Sequence, residues 1–268
     1  EAEVPWEWTK ELSDCCLNEG IDYFTAPYDL NFIREYADYL DVIKIGSGDI
    51  TWQESLRLIA SLNKPIIIAT GASNLSDVQS AMQLLSNSLQ PIVLMQCNTN
   101  YRGTLDNLEF LNLRVLQTYA NLYPKAILGL SDHTPGHVSV LGAVALGARV
   151  IEKHFTDDKN RMGPDHYFSL NPNEWRAMVD DTRHLESSLG DGIKRVEANE
   201  MESMIVQRRA LRYDLDLEEG ETLESKHLSS LRPCPTDALP PNRIDEVLGK
   251  QLLRRVFKGE LVRLADFG

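Results

Sequence analysis

The chain has 268 residues, with 40 Asp+Glu against 27 Lys+Arg and a formal charge of −13. A hydrophobic fraction of 43% and a charged fraction of 25% describe a globular protein and exclude wholesale disorder. The acidic balance argues against non-specific binding to nucleic acid or an anionic membrane, and no apolar run approaches the ~18 residues of a bilayer span. The opening EAEVPWEWTK is acidic and polar, unlike a signal peptide, and a start on Glu1 in place of Met predicts an upstream segment. Cys15, Cys16, Cys97 and Cys234 lack metal-type spacing and read as reduced thiols in a cytoplasmic protein.

Along the chain, short Ile/Val-rich runs alternate with helical periodicity. Strands are predicted at 22–26, 42–46, 65–70, 92–96, 126–131 and 150–155; helices are predicted at 8–19, 30–39, 54–62, 75–85, 108–122 and 138–146. Strands apolar on both faces, each followed by a helix, form a parallel sheet covered by helices. Both an open doubly wound sheet and most of an eight-stranded barrel fit that pattern, and in both the function sits at the C-terminal ends of the strands. A further helix at 172–189 ends at Gly190, and a polar joint follows at 191–205. From 206 onward, short strands with turns at Gly220, Pro240–Pro241 and Gly259 read as a small, mostly β module. The predicted domains are therefore 1–190 and 206–268. Charge divides similarly: residues 1–205 carry 16 basic and 29 acidic side chains, and residues 206–268 carry 11 of each.

His133 and His154 fall at the ends of consecutive predicted strands, so their imidazoles can face one space. They read either as a divalent-metal pair or as structural histidines. Strand alternation puts Glu152 on the face of His154 and Ser131 on that of His133, leaving Lys153 as a surface or helix-facing lysine. Glu152 is a candidate acid or base, or a partner that orients His154. Lys44 lies inside the apolar strand VIKIG, where an ammonium needs an anion. That anion is either a small phosphorylated substrate, held also by the turn Gly46-Ser47-Gly48 and a second turn at Gly71, or a structural partner, Asp49 or Glu152. The charged loop 156–169 is long for its place and contains Asp165. Asn98, Asn100 and Tyr101 read as sugar contacts or as ordinary turn chemistry; His137, His166, His184 and His227 read as surface or capping residues.

The segments VIKIGSGDI, PIIIATGAS, QCNTNY, ILGLSDHT, GAVALGARVIEKHFT and RMGPDHYFS together resemble the sialic acid synthase family. Members condense phosphoenolpyruvate with an N-acetylated amino sugar. The C-terminal SLRP…GKQLLRRVFKGE is similar to the family's small antifreeze-protein-like (SAF) domain. The resemblance implies an α/β fold, a (β/α)8 TIM barrel, here without its first two βα units. It also implies a divalent metal (typically Mn2+, with Mg2+ or Co2+ as alternatives) and a domain-swapped homodimer whose SAF domain covers the partner's site. Carried over by motif, His133 and His154 would bind the metal, while Lys44, Ser47 and Ser131 would hold phosphoenolpyruvate. Glu152, Asp49, Asp165 and Tyr101 would line the sugar and metal site, with Glu152, Asp49 and Asp165 as the catalytic carboxylates, and Asn98 or Asn100 would supply an amide contact. Arg232, in the LRP segment, would reach the partner's sugar.

The family pattern is departed from in two places: Ala69 stands where Ser is common, and Asn98-Thr99 stands where Thr-Asn is common. The implied sugar is N-acetylmannosamine, its 6-phosphate, or one of the 2,4-diacetamido sugars leading to legionaminic or pseudaminic acid. Two rivals remain at this point: another phosphoenolpyruvate- or metal-using barrel enzyme, and a non-catalytic remnant or assembly subunit. Six of eight barrel strands would expose apolar edges, predicting poor solubility or lost activity for the chain alone.

Overall fold

The computed structural model describes residues 4–268, in two compact units that meet between Asp191 and Gly192. The first unit holds strands β1 (Phe24–Thr25), β2 (Val42–Ile45), β3 (Ile66–Ala69), β4 (Ile92–Cys97), β5 (Ile127–Asp132) and β6 (Val150–Lys153). They form one sheet, every pair parallel and every neighbour consecutive in the chain. Helices α1 (Thr9–Asn18), α2 (Leu30–Tyr36), α3 (Gln53–Ser61), α4 (Leu75–Leu85), α5 (Val115–Leu122), α6 (Val138–Ala145) and α7 (Pro172–Leu189) alternate with or follow them. Parallel neighbours require crossovers, and the helices supply them.

The two faces of the sheet differ in chemistry. Ile43, Ile45, Ile66, Ile68, Leu94, Leu128 and Leu130 merge with Leu56, Ile59, Val78, Leu85 and Leu116 of the helices into one core. Alternation sends Lys44, Ile67, Ala69, Met95, Cys97, Ser131 and Glu152 to the opposite face, and the register aligns Cys97 with Ser131 and Ser131 with Glu152. That face is concave. Lys44 Nζ on β2 lies 3.1 Å from Glu152 Oε2 on β6, whereas a flat sheet would hold these strands about 19 Å apart at ~4.8 Å per strand. The sheet is thus a curled half-barrel, as the barrel reading predicts.

The elements differ from the sequence prediction where local chemistry intervenes. The predicted helix at 108–122 splits into a 3-10 segment Leu105–Phe110 and α5, because Asn112 adopts φ 45°, a left-handed conformation that Asn tolerates. Strand β1 is reduced to two residues with a single partner, β2. Helices α4 and α7 run over the predicted residues, each entered through a capping box, Asn74 with Asp77 and Asn171 with Glu174.

In the second unit, α8 (Met201–Gln207) occupies part of the stretch read as a polar joint. Strand β7 (Ala210–Tyr213) pairs antiparallel with β8 (Leu228–Leu231), and single bridges tie residues 212, 217, 222 and 252 to later segments. Leu211, Tyr213, Leu217, Leu223, Val247, Leu252, Val256, Val262 and Phe267 form its core. Beside that core, Asp266 accepts from Arg254 Nε (2.8 Å), Tyr213 OH (3.1 Å) and Arg263 N (2.9 Å). No helix among the described residues is long and apolar enough to cross a membrane.

Candidate active site

The C-terminal ends of β2, β4, β5 and β6 bring most of the predicted residues to one place. His133 follows β5 and His154 follows β6, with ring centroids 5.1 Å apart. Tyr101, from the loop after β4, lies 4.3 Å from His133 and 5.7 Å from His154, and Phe168 closes the group 5.0 Å from His154. Burial pushes the pKa of both imidazoles down, and in His133 the neighbouring His154 adds to the shift. Neutral rings are the form that binds metal.

The tautomer of His133 follows from its partner. Nδ1 is 2.9 Å from the Asn98 carbonyl oxygen, which can only accept, so Nδ1 carries the proton and Nε2 keeps its lone pair. His154 turns Nδ1 toward Asp165 Oδ2 at 3.6 Å, placing Asp165 beside the histidine pair. Asp165 holds φ 70°, and its carbonyl accepts from the Ser169 backbone and hydroxyl, which fixes the loop. Among the described residues no set of three or more His, Cys, Asp or Glu converges as a metal-ligand cluster. The donor set is therefore two nitrogens with a carboxylate nearby, a pair that suits a divalent transition ion whose other ligands are substrate oxygen or water.

Below the histidines lies a second group. Glu152 accepts from Ser131 Oγ at 2.8 Å and pairs with Lys44 at 3.1 Å. Of the two structural partners open to Lys44, the fold selects Glu152. The lysine side chain is 15% exposed and the glutamate 35%, so the pair is sheltered yet reachable. Ser47 Oγ accepts from Gly71 N at 2.9 Å; the Gly71 amide is spent on orienting that hydroxyl and is no second anion turn. A Cβ on Gly71 would strike Thr99 Cγ2 and come within 2.9 Å of Ser47 Oγ and 3.1 Å of Cys97 Sγ, so the close approach requires glycine. Cys97 sits at the centre; burial pushes its thiol up, opposed by hydrogen bonds with Ser47 and Ser131. Asp49, in the turn after β2, has its carboxyl pushed up by burial and lies on the Gly46 and Tyr28 side.

The alternatives left open by the sequence are resolved. Of its two readings Lys153 takes the helix-facing one: its side chain is 1% exposed, and Nζ donates to Asp132 Oδ2 at 2.7 Å on the helix side of the sheet. The Asn98 side chain is taken up by its own loop, accepting from Asn100 N and donating to Phe110 O, so Asn98 serves the site through its carbonyl. Asn100 likewise caps its own turn through Arg102 N. The Thr70 hydroxyl faces the helices, bonded to Met95 O and Tyr119 OH, and supplies nothing at the position next to Ala69. His166 bonds Thr156 Oγ1 at 2.7 Å inside the loop, and His227 takes the capping role, buried with its Nδ1 accepting from Glu224 N. Arg232 lies exposed in the second unit, apart from this cluster in the chain. Sequence reasoning passed over Cys97, Tyr167 and Phe168. The register of Cys97 with Ser131 was the available signal for the first; the other two are placed by loop packing, Tyr167 OH donating to the carbonyls of Tyr101 and Arg102.

This half-barrel, with its polar cluster at the C-terminal mouth, belongs to the NeuB family: the family model matches residues 1–194, and a SAF domain matches residues 208–268. Among curated relatives, the chain is 37% identical to an N,N'-diacetyllegionaminic acid synthase of Campylobacter jejuni, over 95% of this chain and 75% of that protein. It is 28% identical to the human N-acetylneuraminate-9-phosphate synthase, over 94% of this chain and 70% of that protein. Among solved structures, an N-acetylneuraminic acid (sialic acid) synthetase from Leptospira borgpetersenii superposes with TM-score 0.70 at 28% identity, covering 76% of this chain and 70% of that one.

Proposed function

We propose that this protein condenses phosphoenolpyruvate with an N-acetylated amino-sugar aldehyde, giving a nonulosonic acid and phosphate. The observation that supports it best is the stacking of an anion-holding group, Lys44 with Ser47 and Ser131, directly beneath a neutral histidine pair. Identities of 37% and 34% to N,N'-diacetyllegionaminic acid synthases of Campylobacter jejuni and Legionella pneumophila, against 28% to the human 9-phosphate synthase, favour a 2,4-diacetamido sugar over a phosphorylated N-acetylmannosamine.

A divalent ion, Mn2+ in the first instance with Mg2+ or Co2+ as substitutes, would be held by His133 Nε2 and His154 and would polarise the sugar aldehyde. The remaining work falls to the chain. Lys44 anchors the carboxylate or phosphate as a point charge, and the Ser47 and Ser131 hydroxyls complete the cradle. C3 of phosphoenolpyruvate forms the bond to the aldehyde carbon as the carbonyl π pair moves onto the aldehyde oxygen; positive charge appears at C2, water adds there, and the C2–O bond to phosphate breaks as the C2 carbonyl forms, one water proton ending on the aldehyde oxygen and the other on phosphate. Glu152 is the carboxylate that takes the proton of the captured water. Asp165 orients His154, while Asp49 and Tyr101 line the sugar side. The protein acts as a homodimer in which Arg232 of one copy completes the site of the other.

Phosphate release with phosphoenolpyruvate, Mn2+ and each sugar in turn tests the reading. In a protein that carries this chain together with the two further βα units, we expect turnover with the 2,4-diacetamido sugar, its loss in EDTA, and its loss in His154→Ala. Turnover that survives EDTA would remove the metal role. Mixing inactive Arg232→Ala chains with inactive His154→Ala chains should restore activity; no recovery would refute a site shared between copies.

A further inference from the structure

The buried ion pair on the far side of the same strand ends does something the site requires. Asp132 and Lys153 are the last register pair of β5 and β6, and the next residue in each strand is a histidine, His133 and His154. The pleat sends the ion pair to the helix face and both imidazoles to the concave face, one residue further on. The Asp132 side chain is fully buried and that of Lys153 is 1% exposed, and they meet at 2.7 Å. A buried pair of this kind adds little net stability, because desolvation offsets the attraction, and an apolar pair of similar volume serves as well. Stability alone does not account for it.

The remaining bonds of the pair show what it holds. Asp132 Oδ1 accepts from Thr134 N at 2.9 Å; Oδ2 accepts from Ser139 Oγ at 2.5 Å and Thr134 Oγ1 at 3.1 Å. Lys153 Nζ also donates to Thr134 O at 2.6 Å. Both backbone groups of Thr134 are thus fixed, as is the first turn of α6 through Ser139. His133 lies between Asp132 and Thr134, so its backbone is gripped on both sides. Metal–nitrogen bonds tolerate only about 0.2 Å of error, and two donors on separate strands meet that limit only if the strand ends cannot shift.

We propose that Asp132–Lys153 is a positioning pair: it clamps the ends of β5 and β6 so that His133 and His154 present their free nitrogens to one divalent ion. The inference rests on the metal-site reading above, but the clamp itself has a metal-independent readout. Asp132→Asn combined with Lys153→Met removes the ionic link while keeping an acceptor for Thr134 N. Long-range 1H–15N spectra of the full chain without metal should show His133 protonated at Nδ1 in the parent and a mixture of tautomers in the double variant. Mn2+ binding followed by electron paramagnetic resonance should weaken about tenfold or more. Lys153→Arg, which restores the pair, should bind within about threefold of the parent.

A folded double variant that keeps the parent tautomer and binds Mn2+ within about twofold would overturn the clamp. If the double variant does not fold, Ser139→Ala removes one bond of the same network; we expect Mn2+ binding about threefold weaker, and an unchanged constant together with an unchanged tautomer overturns the proposal equally. A parent that binds no Mn2+ refutes the metal site, and the tautomer comparison then decides the clamp by itself.

Discussion

Glu152 is the resident occupant of the place an anionic substrate must take. It uses the Lys44 ammonium at 3.1 Å and the Ser131 hydroxyl at 2.8 Å, the two donors proposed to hold phosphoenolpyruvate. Replacing Glu152 by Gln leaves a neutral acceptor of the same shape. Charge-assisted hydrogen bonds are roughly twice as strong as neutral ones, so two of them weaken by about 1–2 kcal/mol together. Because Glu152 is 35% exposed, solvent screening puts the net near the lower end, ~1 kcal/mol, or about a fivefold gain in anion affinity. Lys44→Met should act oppositely: losing one charge-assisted bond to the ligand costs about 1.5–3 kcal/mol, at least ~10-fold in Kd. Titration calorimetry with phosphoenolpyruvate and no sugar isolates binding from chemistry. Glu152→Gln should bind more tightly in the parent background and show no such gain in the Lys44→Met background. If Glu152→Gln binds equally or more weakly, or gains as much without Lys44, the carboxylate is not competing for the ammonium and the reasoning fails.

Gly103→Ala should damage the site from outside it: at φ 59° the added Cβ would lie 2.5 Å from Phe168, which packs on His154. Overpacking of about 1–3 kcal/mol would lower Tm by roughly 2–4 °C per kcal/mol, and a parent-like Tm would show that the loop yields freely. Asp49→Asn should stabilise at neutral pH. Burial raises the folded pKa of Asp49, so the stability it contributes is present below the ordinary value of 3.8 and is lost as pH rises through the folded pKa. Its advantage over the parent in denaturant melts should vanish at low pH, and a constant gap would reject burial as the cause. In the second unit, Asp266→Asn weakens the bonds to Arg254 and Tyr213 and should cost about 2 kcal/mol by denaturant titration; a change below about 0.5 kcal/mol would mark that network as dispensable.

The architecture was legible because strand and helix periods differ, and the Ile/Val runs of β2 to β6 carry the strand period with little interruption. The site was legible for a related reason: alternation along E-K-H and S-D-H is enough to place Glu152, His154, Ser131 and His133 on one face. The same alternation put Lys153 on the other face but said nothing of its neighbours, and a charged residue there defaults to solvent until a register partner is known. Asp132 is that partner, and the pairing is long-range. Asn98 stays open in the sequence for a similar reason. An amide next to a strand end serves a ligand or its own turn equally well, and the choice depended on Phe110, twelve residues away. Tyr167 and Phe168 entered through loop packing, which has no period to read.

The two lysines on these strands complete the electrostatics of a strongly acidic chain. A net charge of −13 offers an anion no long-range attraction, and beyond a Debye length of ~8 Å it is screened in any case. Capture must therefore depend on donors within contact. Unpaired, such donors would be costly inside a folded sheet. Lys44 with Glu152 on the concave face, and Lys153 with Asp132 on the convex face, cancel charge locally before any ligand arrives. The two pairs differ in what can replace the carboxylate. Asp132 is enclosed and committed to four donors, so that pair is permanent. Glu152 is partly open, with two donors, and an incoming carboxylate or phosphate can take its place. One pair fixes the histidines, and the other holds the anion site ready without leaving a bare charge in the barrel.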